Sequence, residues 1–143
     1  MIKPITLALL AGGALVAADS AWTAVLHPQN NSTVEGTADV KATTDSTMLM
    51  TVDIRNTTAG TTYTAVLYNG TCASPGGMVD EGTVYKKVVG DSTAVARSET
   101  ALRIKTLTPD AHLIQVHAQT DEQKTETTPL GPVVACGDLK VVR

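Results

Sequence analysis

TVEGTADVKATTDSTMLMTVDIRN, Thr33–Asn56, is the stretch whose periodicity decides the fold. Val34, Gly36, Ala38, Val40 and Ala42 fall on one side of an extended chain, and Glu35, Thr37, Asp39 and Lys41 on the other. That period of two belongs to a strand with one dry face and one wet face. The pattern restarts after TTDST: Met48, Met50, Val52 and Ile54 are set against Thr51, Asp53 and Arg55. Two such runs separated by a short polar turn predict an antiparallel hairpin.

The same texture continues outward from the hairpin. Further strands are expected over Trp22–His27, Thr62–Tyr68, Thr83–Val88, Ala101–Leu107, Leu113–Gln119 and Val133–Val142. The turn signals NTTAG, ASPGG, VGDS, TPD and TDEQKTETTPLG separate them, and Thr120–Pro132 reads as a solvated loop. No stretch carries a convincing 3.6-residue apolar period. The expected fold is therefore all-β, an antiparallel Greek-key β-sandwich or flattened barrel of about eight strands with one disulfide. Composition agrees: 43% of residues are hydrophobic but only 3% aromatic, with no Phe, so Val, Ala, Leu, Ile and Met must fill the core. A chain of 143 residues is one domain's worth.

The first residues, MIKPITLALLAGGALVAADSAW, place Lys3 before an uncharged apolar run and then small residues suited to a peptidase. This predicts a signal peptide over 1–18, cleaved after Ala18 with Ala21 as the fallback, and an exported domain over 19–143. The run is shorter than the roughly 20 residues a membrane span needs, so no span is expected after cleavage. The expected location is the periplasm or the outside of the cell. The formal net charge of −3 and the lack of a Lys/Arg run argue against a nucleic-acid partner. In an oxidising compartment the two cysteines, Cys72 and Cys136, favour a structural disulfide; a redox-active pair would prefer C-x-x-C spacing.

GTC closing one strand candidate, VHA on a later one and ACG on the last together resemble the copper/zinc superoxide dismutase-like superfamily. The resemblance implies a disulfide between Cys72 and Cys136 and a metal site whose ligands can be sought position by position. Where it implies a His-x-His pair the chain has Ala65 and Leu67, and where it implies the metal-bridging imidazole it has Met78. Val88 stands for a zinc-binding histidine, Asp91 keeps the zinc-loop aspartate, and Val133 replaces the guide arginine. His117 alone keeps a copper-ligand position. HLIQVHAQT also resembles chordin-type domains, more weakly.

One imidazole cannot hold copper through both oxidation states, so dismutase activity and a cofactor are not expected. His117 is expected on the outer sheet face beside Gln115 and Gln119, with His112 on the opposite face because five residues separate them. His27, next to Pro28, is the other histidine that could approach it. Asp80–Glu81 and Asp121–Glu122 sit in polar turns that do not raise a carboxyl pKa. Sequons at Asn30, Asn31, Asn56 and Asn69 matter only in a glycosylating host. The expectation is a non-enzymatic exported module that binds a protein partner or itself. The alternative is a copper-binding or dismutase-related protein with a site rebuilt around His117 together with Met78, Met48 or Met50, or with a partner chain.

Overall fold

The computed structural model describes residues 21–43, 46–80, 83–108, 110–120 and 130–142. The expected leader, Glu81 and the Asp121–Glu122 pair lie outside them. The described chain forms β1 (Ala21–Pro28), β2 (Glu35–Ala42), β3 (Met48–Arg55), β4 (Thr62–Thr71), β5 (Ser74–Met78), β6 (Lys87–Val89), β7 (Val95–Leu102), β8 (His112–Gln119), β9 (Val133–Asp138) and β10 (Lys140–Val141), with no helix among these residues.

Every pairing is antiparallel, in the order β5-β4-β8-β9-β1-β2-β3-β7, with β6 on β4 and β10 on β1. The sheet curls into a half-barrel. Its β9-β1-β2-β3 order, with a late strand returning beside the first of three hairpin-linked strands, is the Greek-key arrangement. The hairpin read from Thr33–Asn56 forms with Ala38 opposite Val52 and Val40 opposite Met50. The strand β1 is the corner of the curl: Trp22 and Thr23 pair with β10, whereas His27 and Pro28 pair with β9.

Alternation aims Ala24, Leu26, Ala38, Val40, Met48, Met50, Val52 and Ile54 inward from one half. Tyr63, Ala65, Leu67, Ile114, Val116 and Ala135 meet them from the other. Each large aliphatic removed from water contributes on the order of 1.5–3 kcal/mol, which is how a core without Phe can hold. Gly36 is dictated by packing, because a Cβ there would lie 1.9 Å from the Asp53 carbonyl oxygen.

Four elements differ from expectation, each for a local reason. ASPGG is not a free turn: Ser74–Met78 folds back on β4 as an edge strand, where the missing N–H of Pro75 is tolerated. Of the expected Thr83–Val88 strand only Lys87 and Val88 pair with β4, and the pairing runs on to Val89. Thr83–Lys86 is instead held by side chains, with Lys86 N–H donating to Thr100 Oγ1 at 3.1 Å and Tyr85 Oη donating to the Val79 carbonyl at 2.8 Å. The strand expected over Ala101–Leu107 lies earlier, at Val95–Leu102; its inward residues Ala96, Ser98 and Thr100 are small or polar and hid the period. The last strand breaks at Leu139, so that β9 serves β8 and the end of β1 while β10 serves its start.

Candidate functional site

The face of β8 turned away from the core carries Leu113, Gln115, His117 and Gln119, opposite Tyr68, Val66, Thr64 and Thr62 of β4. An antiparallel ladder puts directly opposed residues on one side of the sheet, so these eight form one surface. Cys136 of β9 extends it, lying opposite Gln115. The register with β9 shifts between Val116, opposite Ala135, and His117, opposite Val133, so the extra residue Val134 belongs to β9 while β8 stays in regular register with β4 through His117.

His117 is not the solvated strand histidine that its flanking glutamines suggested. Its residue is only 7% exposed, and Gln119 is buried beside it. Nδ1 lies 3.0 Å from the Gly131 carbonyl oxygen, and Nε2 lies 3.0 Å from Tyr68 Oη. A carbonyl can only accept, so Nδ1 carries the proton, and the Nε2 lone pair accepts from the tyrosine hydroxyl. The two rings are tilted at 54° with centroids 6.1 Å apart. Burial pushes the His117 pKa down and the Tyr68 pKa up, so both groups are held neutral. An ion pair formed by moving the Tyr68 proton to His117 would oppose both shifts. The pair is a polar clasp, satisfied and chemically quiet.

What the ring clasps is the far end of the Thr120–Pro132 segment. Ala118 N–H donates to the Pro132 carbonyl at 3.0 Å, and Gly131 adopts φ +73° with its Cα facing the Ala118 carbonyl. A Cβ at 131 would stand 2.3 Å from that oxygen. At Leu130–Pro132, then, the expected solvated loop is corrected to a covering segment; residues 121–129 are outside the description.

The other positions implied by the resemblance do not converge on His117. Ala65 and Leu67 point into the core, and His117's own face of β4 offers Thr64, Val66 and Tyr68. Met48 and Met50 are fully buried in β3 on the far side of the core. Met78 shares a row with Tyr68 and Leu113, four residues along β8 from His117, a backbone offset of roughly 13 Å. His27 lies opposite Cys136, two strands away and two rows along, roughly 12 Å from His117. His112 is buried and an odd number of residues from His117, hence on the other face. Val88 packs inward toward Tyr63, and Val133 sits beside His117. The donor set around His117 therefore does not fit copper: one nitrogen bears a proton, the other accepts one, and the facing side chains are aliphatic or hydroxyl. No group of three His, Cys, Asp or Glu side chains suited to a metal occurs among the described residues.

The disulfide forms as expected. Cys72, in the turn between β4 and β5, is bonded to Cys136 across 64 positions, with a Cα–Cα distance of 6.0 Å. Cys72 N–H also donates to Asp138 Oδ1 at 2.8 Å, so the turn is tied to β9 twice. Asp80 is a structural carboxylate: it accepts from the Thr83 hydroxyl and from Arg103 N–H, with the Arg103 guanidinium 3.6 Å away. The Thr83 hydroxyl first, and Arg103 after it, hold Asp80 below the usual carboxylate range, the opposite of a general acid. Asp91 likewise accepts from Thr93 within the turn before β7, and its pKa is lowered by those bonds. Asn30, Asn31 and Asn56 adopt positive φ, and the Asn30 and Asn56 amides donate to the Val133 and Thr33 carbonyls. Turn geometry accounts for asparagine at these places. The partners that sequence reasoning misses are Tyr68 and Gly131, which only the β4–β8 register and the covering segment bring to the ring.

A comparison of the chain with family models and with curated proteins finds no match. No helix among the described residues is long and apolar enough to cross a membrane. The disulfide points to an oxidising environment.

Proposed function

We propose that this chain is a periplasmic or secreted, non-enzymatic β-sandwich of the copper/zinc superoxide dismutase-like type, acting as a structural or interaction module. In this reading a former copper-ligand position has become a fastening point. The observation that carries it is the commitment of both His117 nitrogens, to Tyr68 Oη and to the Gly131 carbonyl. Support for the kinship comes from the Greek-key strand order and from the Cys72–Cys136 bond that the resemblance implies. The missing ligand partners at Ala65, Leu67, Met78 and Val88 support the loss of metal chemistry.

The test is metal analysis of the purified chain after incubation with copper and zinc and removal of the excess. The expected result is less than stoichiometric metal, unchanged by His117→Gln. Stoichiometric copper in the wild type that His117→Ala abolishes would overturn the proposal in favour of a rebuilt copper site.

A further inference from the structure

We infer that the groove between β1 and the β9–β10 corner binds a free α-amino acid as its zwitterion. The inference is independent of His117 and starts from a gap in the sheet. The strand β1 pairs with β10 at Trp22–Val141 and Thr23–Lys140, and with β9 at His27–Cys136 and Pro28–Ala135. Both pairings keep one register, which sets Val25 opposite Asp138, yet that rung belongs to neither ladder. Gly137 shows how sharply the strands cross there, because a Cβ at 137 would stand 2.4 Å from the Val25 carbonyl oxygen. Over the missing rung lies a groove of about 230 Å³. Thr23, Ala24, Val25 and His27 line one side of it, and Asp138 and Lys140 the other.

The side chains at this groove are on the outer side of the sheet. Thr23, His27 and the 59%-exposed Val25 face out from β1, and Asp138 and Lys140 are exposed across from them. Two residues apart on an extended chain, Asp138 and Lys140 stand roughly 6.5 Å from each other along the strand. They carry opposite charges and line one groove, yet they are not ion-paired with each other. Lys140 and His27 make no hydrogen bond or ion pair among the described residues. Asp138 Oδ1 accepts from Cys72 N–H at 2.8 Å, which leaves Oδ2 uncommitted. The Thr23 hydroxyl is spent on the Ala38 carbonyl.

That charge arrangement selects the ligand. A simple anion drawn to Lys140 meets Asp138, and a simple cation drawn to Asp138 meets Lys140. A molecule with both charges one carbon apart satisfies both, its carboxylate accepting from Lys140 Nζ and its ammonium donating to Asp138 Oδ2. Its side chain then lies on Val25, directly across from Asp138, where an aliphatic group leaves water. The next charge, Asp39 of β2, stands beyond Thr23 and does not line the groove.

The experiment is an amide chemical-shift titration of the purified, isotope-labelled chain with L-leucine at millimolar concentration. Saturable shifts are expected, confined to Thr23–His27 and Asp138–Lys140. L-Leucinamide, which lacks the carboxylate, and N-acetyl-L-leucine, which lacks the ammonium, should each bind at least about tenfold more weakly, the loss of one charge-assisted hydrogen bond. Lys140→Gln should weaken leucine by the same factor and leave leucinamide unchanged. Asp138→Asn, which keeps an oxygen for Cys72 N–H, should weaken leucine and leave N-acetyl-leucine unchanged. Lys87→Gln and Glu99→Gln, which remove the same charges elsewhere on the surface, should bind leucine as wild type does. Unmoved amide shifts outside the groove establish that each variant keeps the fold. No saturable shift with leucine would overturn the inference, as would equal binding of leucine and either derivative. Losses in Lys87→Gln or Glu99→Gln that match those at the groove would overturn it too.

Discussion

The two halves of the half-barrel are built from the same kind of strand yet use their outer faces differently. On β1, β2, β3 and β7 the outer face is wet: β2 and β3 alternate buried with exposed or half-buried residues along most of their length. Arg55–Glu35 and Arg97–Asp53 lie across that surface as exposed ion pairs. On β4 and β8 the outer face is covered: Thr62 to Leu67 are buried without a break, and six of the eight β8 residues are buried. The difference teaches what the polar groups are for. In the open half they meet water; in the covered half Thr64, His117 and Gln119 need partners, and His117 finds them in Tyr68 and Gly131.

The sharpest way to break this comparison is to cut the staple that belongs to the covered half alone. Replacing Cys72 and Cys136 together by Ser opens a loop closed across 64 positions. In the chain-entropy model this costs about 4 kcal/mol, read from urea unfolding. Amide exchange should accelerate in β4, β5 and β9 before it does in the β2–β3 hairpin. Uniform acceleration would dissolve the distinction between the halves.

A matched pair of leucines tests the covering itself. Leu113 of β8 and Leu49 of β3 both stand at outward positions, yet Leu113 is fully buried and Leu49 is 36% exposed. Leu113→Ala should destabilise by about 2–5 kcal/mol, as a core leucine does, and Leu49→Ala by less than about 1 kcal/mol. Equal values from denaturant titration would show that the covered face is not a second core.

The clasp comes next in size. Tyr68→Phe removes the donor to His117 Nε2, and His117→Ala removes the ring from both partners. Each should cost about 1–3 kcal/mol, the range for stranding a buried polar group. The double variant should cost less than the sum, because the Tyr68–His117 bond is then counted once. Acid probes the same place: burial holds His117 and His112 below their ordinary value of 6.5. The unfolded chain therefore takes up protons that the folded chain resists, so stability is fully present above about pH 6.5 and declines as pH falls below it, levelling off beneath the folded values. His117→Gln should flatten that slope. Asp80 and Asp91, held below 3.8, extend the loss to a lower and separate window.

The smallest effect is expected in the open half. Arg97→Ala removes its exposed contacts with Asp53 and Glu99, and should change stability by less than about 1 kcal/mol, vanishing at high salt. A larger loss would mean that the wet face contributes more than its solvation allows.

How far the fold could be read from sequence follows the same division. Val34–Ala42 and Met48–Arg55 announced their strands and their pairing because one face meets water, and water imposes alternation. Val95–Leu102 does not announce itself, because Ala96, Ser98 and Thr100 face inward without being large and apolar. Ser74–Met78 reads as a turn because Pro and Gly are the commonest turn residues, although they also suit an edge strand. At the candidate site His117 and the two cysteines stood out by residue type and spacing. Tyr68 and Gly131 did not, since a tyrosine on a strand and a glycine in a loop have many uses and only the register brings these two to one imidazole.

By itself, then, the sequence determined the all-β class, the first hairpin and the two cysteines available for a bond, because local alternation and turn chemistry are properties of neighbouring residues. Tertiary structure alone decided that His117 is clasped and not solvated, that Met48, Met50 and Met78 lie away from it, and that Cys72 is tied to β9. Those outcomes depend on which strands become neighbours and on how a curled sheet is covered. Long-range pairing fixes both, and a period of two in the chain carries no record of it.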